Sequence, residues 1–371
     1  MIRVFEPKIY ITDLISVIKT MLKSNVSGTS PTVGEFENLI SMKFNRKYGV
    51  AVSNGSVALD LALQQLNLKE NDEVILPSFT IVSCLSAVIR TGAKPVFCDV
   101  NKKSWNMTKA DIEKVFTKNT KAVIMVHTYG LPSDASEILD FCKANKLTLI
   151  EDAAEAHGQK ENNKLCGSFG DMSTFSFYAN KHITTGEGGI VLTDDEGFYK
   201  NLKQMRNLDF ENSKRFNHDN FYWNYRLSGL QAALGISQLN KLEKTIKLKI
   251  NQGKYYLELL SDYQSLFELP PSKFDGVENH FWVFGVVLKK DNIRDKLMIE
   301  LANNNIETRP FFWPLHLQNA LSEEHKNGQA PLTVSEYLGK NGLYLPMGNH
   351  INKKVQKLVV QNLLKAHNNV G

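Results

Sequence analysis

Residues 173–193 read STFSFYANKHITTGEGGIVLT, and the reactive group in that run is Lys181. An amine held beside a sheet edge, away from water, sheds its proton because desolvation disfavours the ammonium form. The neutral amine can condense with an aldehyde and later return as a proton shuttle. The glycines of Thr185-Gly186-Glu187-Gly188-Gly189 would let the backbone pass close to a ligand. The bland alternatives are a solvated surface lysine and an ordinary tight turn.

Two other groups have matching chemistry. Asp152, in IEDAAE at 150–155, can pair with a protonated ring nitrogen and strengthen the ring as an electron sink, or it can simply cap the next helix. Ser53-Asn54-Gly55-Ser56 stands directly before a helical pattern, where backbone amides and the Ser56 hydroxyl make a phosphate seat or a plain cap. A Schiff-base lysine, a pyridinium partner and a phosphate seat together are the parts of a pyridoxal-phosphate enzyme.

The elements that must position these groups follow from the pattern. Residues 56–66 read as a helix, 73–77 as a strand, and 95–100, 122–127, 147–152, 173–177 and 189–193 as further apolar strands. Helical stretches such as 135–144 separate several of them. Apolar strands alternating with helices predict an α/β fold with a largely parallel sheet covered on both faces. Ligands of such sheets sit outside the carboxyl ends of the strands, where Asp152 falls. A long helical pattern runs from Leu230 through Leu242 and Ile246 towards Tyr263, followed by Pro270-Pro271. Then come a strand at 280–288, a helix at 294–302 and a closing helix at 353–364. The expected division is 1–250 for a large ligand-binding domain and 251–371 for a small C-terminal domain.

The 371 residues suffice for a sizeable core. A net charge of +5, with no basic stripe interleaved with aromatics, argues against nucleic acid. Cys84, Cys98, Cys142 and Cys166 form no Cys-x-x-Cys pair, which argues against a metal site and for a reducing compartment. Leu14, Ile15, Val17, Ile18, Met21 and Leu22 are spaced as one face of an amphipathic helix rather than a secretory segment. No run is long enough to cross a bilayer, so the expected location is cytoplasmic.

The runs SNGSVALDLAL, DEVILPSFT, GAKPVFCDV, EDAAEAHG, GSFGDMSTFSFYANKHITTGEGG, NYRLSGLQAALGISQL and ETRPFFWPLH span essentially the whole chain. They resemble the DegT-type aminotransferases of nucleotide-sugar biosynthesis. The resemblance implies the fold type I architecture: a large domain with a mostly parallel seven-stranded sheet flanked by helices, and a smaller C-terminal α+β domain. It implies that Lys181 is the Schiff-base and acid/base residue, that Asp152 pairs with the ring nitrogen, and that Glu155 approaches the ring hydroxyl. Gly55, Ser56 and Ser176 would bind the phosphate. Asn224 would reach the phosphate of the neighbouring subunit's cofactor, which implies a homodimer with shared sites. His316 matches a position near the substrate, with a loop histidine bonded to backbone as its alternative. The run 183–189 and Glu155 place the resemblance nearest the branch that aminates the C4 ketone of a GDP-linked 6-deoxysugar. Ile81 stands where the family usually has an aromatic residue on the ring face. Tyr222 replaces a usual glycine, and with Trp223 it would narrow the substrate entrance or stack a nucleobase. The segment 27–31 also departs from that branch.

The implied activity is transfer of an amino group, by ping-pong chemistry, from a donor such as L-glutamate to a nucleotide-linked keto-deoxysugar destined for surface polysaccharide. A smaller phosphorylated ketone or free keto-sugar is the alternative acceptor, favoured if Tyr222 and Trp223 close the pocket. A pyridoxal-phosphate-dependent sugar dehydratase and a non-catalytic pyridoxal-phosphate-binding regulator are the rivals of another class. The dehydrating branch carries histidine at the lysine position, whereas here His182 merely follows Lys181.

Overall fold

The structure, a computed structural model, describes residues 1–210, 216–322, 325 and 331–370. Helices α1 (Ile11–Leu22) and α2 (Pro31–Lys43) precede strand β1 (Tyr48–Val52). Helix α3 (Gly55–Gln64), β2 (Glu73–Pro77), α4 (Val82–Thr91), β3 (Lys94–Cys98), α5 (Lys109–Glu113), β4 (Thr120–Val126), α6 (Ala135–Ala144) and β5 (Thr148–Asp152) then alternate. A short hairpin of β6 (Lys160–Glu161) and β7 (Lys164–Leu165) leads to β8 (Met172–Ser176) and β9 (Gly189–Thr193). Helices α7 (Glu196–Arg206), α8 (Gly229–Leu239) and α9 (Leu242–Leu260) follow.

Seven strands form one sheet in the order β1-β9-β8-β5-β4-β2-β3. All are parallel except β9, which pairs antiparallel with both β8 and β1. That reversal comes from the short return at 177–188, which contains Lys181. Alternation along β4 shows why both faces are covered. Ala122, Ile124 and Val126 pack beneath α3 and α4, while Val123 and Met125 meet Ile138 and Phe141 of α6. Each of the larger side chains among these contributes about 1.5–3 kcal/mol on burial. β1 was not among the expected strands, because YGVAV is short and has a glycine as its second residue; antiparallel pairing with β9 completes it.

Beyond residue 260 a second, antiparallel sheet has the order β10-β13-β15-β14, from β10 (Phe267–Glu268), β13 (Phe284–Leu288), β14 (Arg309–Pro310) and β15 (Gly342–Leu345). Strands β11 (Lys273–Phe274) and β12 (Val277–Glu278) make a hairpin beside it. Helices Arg294–Asn303 and Lys353–Val370 back this sheet through Leu297, Leu301, Val359 and Leu363. The N-terminus joins this unit, since Ile2 pairs with Ile306.

The expected long helix from Leu230 is two helices, broken at Asn240-Lys241. Ser228 opens α8 with a capping box, and the next helix, α9, spans both cores. Its Leu242 and Ile246 sit under the large sheet, whereas Tyr256 and Leu260 belong to the second core. The expected strand at 280–288 starts only at Phe284, because Phe281 adopts a left-handed φ of 49° that bends the chain. Helix α1 forms where expected, but it docks on α8 through polar groups. Ser16 Oγ donates to the Ala233 carbonyl and Gln238 Nε2 to Asp13. Its apolar residues Leu14, Ile15, Ile18, Met21 and Leu22 face outward.

Candidate active site

Asn54 ends the turn after β1 and caps α3, its Oδ1 accepting the Val57 N–H at 2.9 Å. The first amides of a helix have no intrahelical acceptor, so the N–H groups of Gly55 and Ser56 are available to an anion. Gly55 must stay small, because a Cβ there would lie 2.8 Å from the Ser176 Cβ. Gly189 is equally constrained, since its Cβ would meet the Asn54 carbonyl at 2.4 Å. Gly186 turns with φ 81°. The glycines thus bring the start of β9 against the start of α3, beside Ser176 at the end of β8.

Over this seat lies a cavity of about 490 Å³. Gly55, Ser56, Ile81, Asp152, Glu155, Ser176 and Lys181 all line it. Asp152 closes β5 and is 3% exposed. Its carboxylate accepts the Ala154 N–H at 3.0 Å and the Cys84 thiol at 3.5 Å. Burial raises its pKa above the ordinary carboxylate value, against the pull of the Ala154 amide and Lys181. Lys181 Nζ stands 3.4 Å from Glu155 Oε1. Glu155 also accepts the Tyr129 N–H at 3.1 Å, yet desolvation outweighs Lys181 and pushes its pKa up to about 7. Ser56 Oγ and Ser83 Oγ are 2.7 Å apart.

Four expected residues are not among the lining groups of this cavity. His316 lies in the turn Leu315–Leu317, with Nδ1 2.6 Å from Ser78 Oγ and Nε2 3.5 Å from Glu336. Asn224 bridges Asn207 and accepts from the Arg226 amide. Tyr222 packs against the core of the large sheet, and Trp223 is 67% exposed. The Ser53 N–H donates to the Tyr225 carbonyl at 2.8 Å, so this run lies beside the chain entering α3. The sequence reading missed Trp282, Phe312 and Tyr344, which form the opposite wall from the C-terminal unit. Trp282 lies under Lys181, with the Nζ 3.9 Å from the ring centroid. Aromatic residues in otherwise ordinary apolar runs carry no local signal of such a role.

His127, Glu151 and Cys166 form a buried cluster of metal-ligating types. Its polar atoms are already engaged: Glu151 accepts His127 Nε2 and the amides of Gly167, Phe169 and Gly170, while His127 Nδ1 accepts the Ser133 amide.

The cavity fits pyridoxal phosphate. It offers an amine, a buried carboxylate that needs a cationic partner, a helix start for the phosphate, and the buried Thr174 Oγ1, which has no hydrogen-bond partner among the described residues. A mostly parallel sheet with this set at its strand ends defines a fold type I pyridoxal-phosphate transferase. Residues 10–364 match the DegT/DnrJ/EryC1/StrS aminotransferase family, and the chain belongs to that family. It is an aminotransferase with pyridoxal phosphate as cofactor. It is 36% identical over 321 residues to a GDP-perosamine synthase of Escherichia coli O157:H7, covering 86% of each chain. A GDP-perosamine synthase of Vibrio cholerae is 35% identical over 354 residues, covering 93% of this chain and 94% of that one. The solved aminotransferase TlmJ from Streptoalloteichus hindustanus superposes with a TM-score of 0.91 at 25% identity, over 99% of this chain and 98% of its own.

Proposed function

We propose that this chain moves an amino group from L-glutamate to the ketone of a nucleotide-linked deoxysugar for surface polysaccharide. The observation that carries the reading is the meeting of Lys181, Asp152, Glu155 and the α3 start in one cavity. The similarity to two GDP-perosamine synthases supports the acceptor class. When bound, pyridoxal phosphate supplies the electron sink for charge developing at the amino-bearing carbon. Lys181 holds the cofactor and moves the proton at that carbon with its Nζ. Asp152 keeps the ring nitrogen charged, and its burial makes a cationic partner favourable. Glu155, whose burial favours the protonated form, would exchange a hydrogen bond with the ring hydroxyl. Gly55, Ser56 and Ser176 hold the phosphate, and Ile81 packs on the ring face.

The reading extends to the assembly. Two copies pair, Asn224 of each reaches the other's phosphate, and Tyr222, Trp223 and His316 contact the acceptor. Support for pairing comes from the outward apolar face of α1, with Leu14, Ile18 and Leu22 at least half exposed. Each copy divides near residue 250, inside α9, and works in the cytoplasm.

The test is a visible spectrum of the purified chain before and after L-glutamate. A yellow band that bleaches on adding the donor is expected, and regaining it with a GDP- or dTDP-linked 4-keto-6-deoxysugar identifies the acceptor. A chain that gains no band with added pyridoxal phosphate overturns the assignment of Lys181. Regain only with a small ketone phosphate overturns the acceptor.

A further inference from the structure

The Lys181 ammonium is held on two sides, by the Glu155 carboxylate at 3.4 Å and by the Trp282 indole at 3.9 Å from its centroid. The lysine side chain is 10% exposed and Trp282 5%, so water screens this contact little. A cation over an indole face is attracted by the ring quadrupole, most strongly for tryptophan and more so once desolvated.

Trp282 belongs to no strand or helix. It follows Phe281, whose left-handed φ is unfavourable for a bulky side chain and persists only where the surroundings impose it. Here they do. Asn279 Oδ1 accepts the Phe281 N–H at 2.8 Å, and Gln159 Nε2 donates to the Glu278 carbonyl at 2.9 Å. Gly253 of α9 leaves room for the Phe281 ring, since a Cβ there would lie 2.4 Å from a ring carbon. The Trp282 Nε1–H donates to the Asn180 carbonyl at 3.2 Å, next to Lys181 in the chain. Lys249, also on α9 and buried, donates from Nζ to the Trp282 carbonyl at 2.6 Å. Placing a second lysine in the interior beside Lys181 is costly, and this one donates to the backbone of the residue that carries the indole.

We infer that Trp282 is a catalytic contact of Lys181, its indole face holding the lysine nitrogen whenever that nitrogen is charged and unbonded, and that Lys249 is the positioning residue that fixes the indole there. This rests on the reading of Lys181 as the cofactor-binding lysine. The other titratable groups around Lys181 are Glu155, Asp152, His157, His182 and Lys249. The attraction between a cation and the indole face exists only while the nitrogen is charged, so replacing the indole takes support from that state alone.

The test strips the full chain of cofactor and follows the rate at which it gains visible absorbance with pyridoxal phosphate, as a function of pH. Trp282→Leu is expected to lower the midpoint of that profile by about one pH unit, and Trp282→Phe by about half as much. Lys249→Met is measured in both the wild-type and Trp282→Leu backgrounds. Loss of a like charge raises the midpoint in both, while loss of the fixed indole lowers it in the first alone, so a larger rise in the second background reads the part carried through Trp282. Circular dichroism confirms the fold, and Trp282→Phe carries the test if the leucine variant does not fold. A wild-type chain that gains no band overturns the reading of Lys181 and this inference with it. A band whose midpoint is the same in every folded Trp282 variant overturns this inference alone.

Discussion

The two walls of the cavity are made differently. The sheet wall is polar: Gly55, Ser56, Asp152, Glu155, Ser176 and Lys181 stand at strand ends or in the first turn beyond them. The opposite wall is aromatic, with Trp282, Phe312 and Tyr344 arriving from the C-terminal unit. Tyr129 joins the two. Its amide donates to Glu155, its hydroxyl accepts the Phe312 N–H at 3.3 Å, and its ring packs on Trp282 and Phe312. In the proposed function the sheet wall supplies the groups that react. The aromatic wall keeps water away from them, which strengthens every charge interaction on the sheet side.

If that division holds, variants on the two walls should fail in different ways. Lys181→Ala should lower the rate of the half-reaction with L-glutamate by about 10³-fold or more, while the urea midpoint changes little. A variant within tenfold of wild type would falsify its role as the proton carrier. Asp152→Asn keeps the shape but loses the charge opposite the ring nitrogen. We expect about a 10²-fold slower half-reaction by stopped-flow absorbance, again with the fold intact. An unchanged rate would leave Asp152 as a structural carboxylate. Gly253→Ala, outside the cavity lining, should do the reverse. Its Cβ collides with the Phe281 ring, so urea denaturation should show a loss of about 1–3 kcal/mol. Unaltered stability there would mean that the segment carrying Trp282 yields easily and is no fixed wall.

The same contrast explains what could be read without coordinates. Strands β2 and β9 and helix α6 fall within the bounds that apolar pattern and punctuation indicate, because each is buried on faces that the pattern marks. The meeting of Lys181, Asp152 and Gly55 at one edge of the sheet was legible for a related reason. Each lies within a few residues of a strand end, so local order in the chain already places its chemistry at the sheet's carboxyl edge. Trp282 gave no such signal. Its position depends on a left-handed Phe281, on Gly253 of another element and on Lys249, none of which a periodicity encodes. β1 was lost because its stabilisation comes from β9, distant in the chain. Tyr222, Trp223 and Asn224 were named from resemblance, and in one copy they lie apart from the cavity lining.

The smallest expected effect separates two buried groups, one in the polar wall and one behind it. His157 packs edge-on against Phe175 and Phe177, and burial, helped by Lys181, pulls its pKa from 6.5 to about 3. The unfolded chain therefore binds more protons than the folded one between those values, and the contribution to stability rises with pH across that window. Glu155 has the opposite sign. Its carboxyl is raised from 4.5 to about 7, so the folded chain holds the extra proton and stability falls as pH rises through that range. One proton of difference corresponds to about 1.4 kcal/mol per pH unit at most. Denaturation of the cofactor-free chain between about pH 4.5 and 6.5 should therefore respond in two directions. His157→Leu should make the slope of stability against pH more negative than in wild type, with His182, His280, His316 and His367 still opposing Glu155 from the histidine side. Glu155→Gln should make it more positive. Both variants keeping the wild-type slope would show that neither group is buried in the protonation state that the packing implies. A shift in one alone would locate the water that reaches the other.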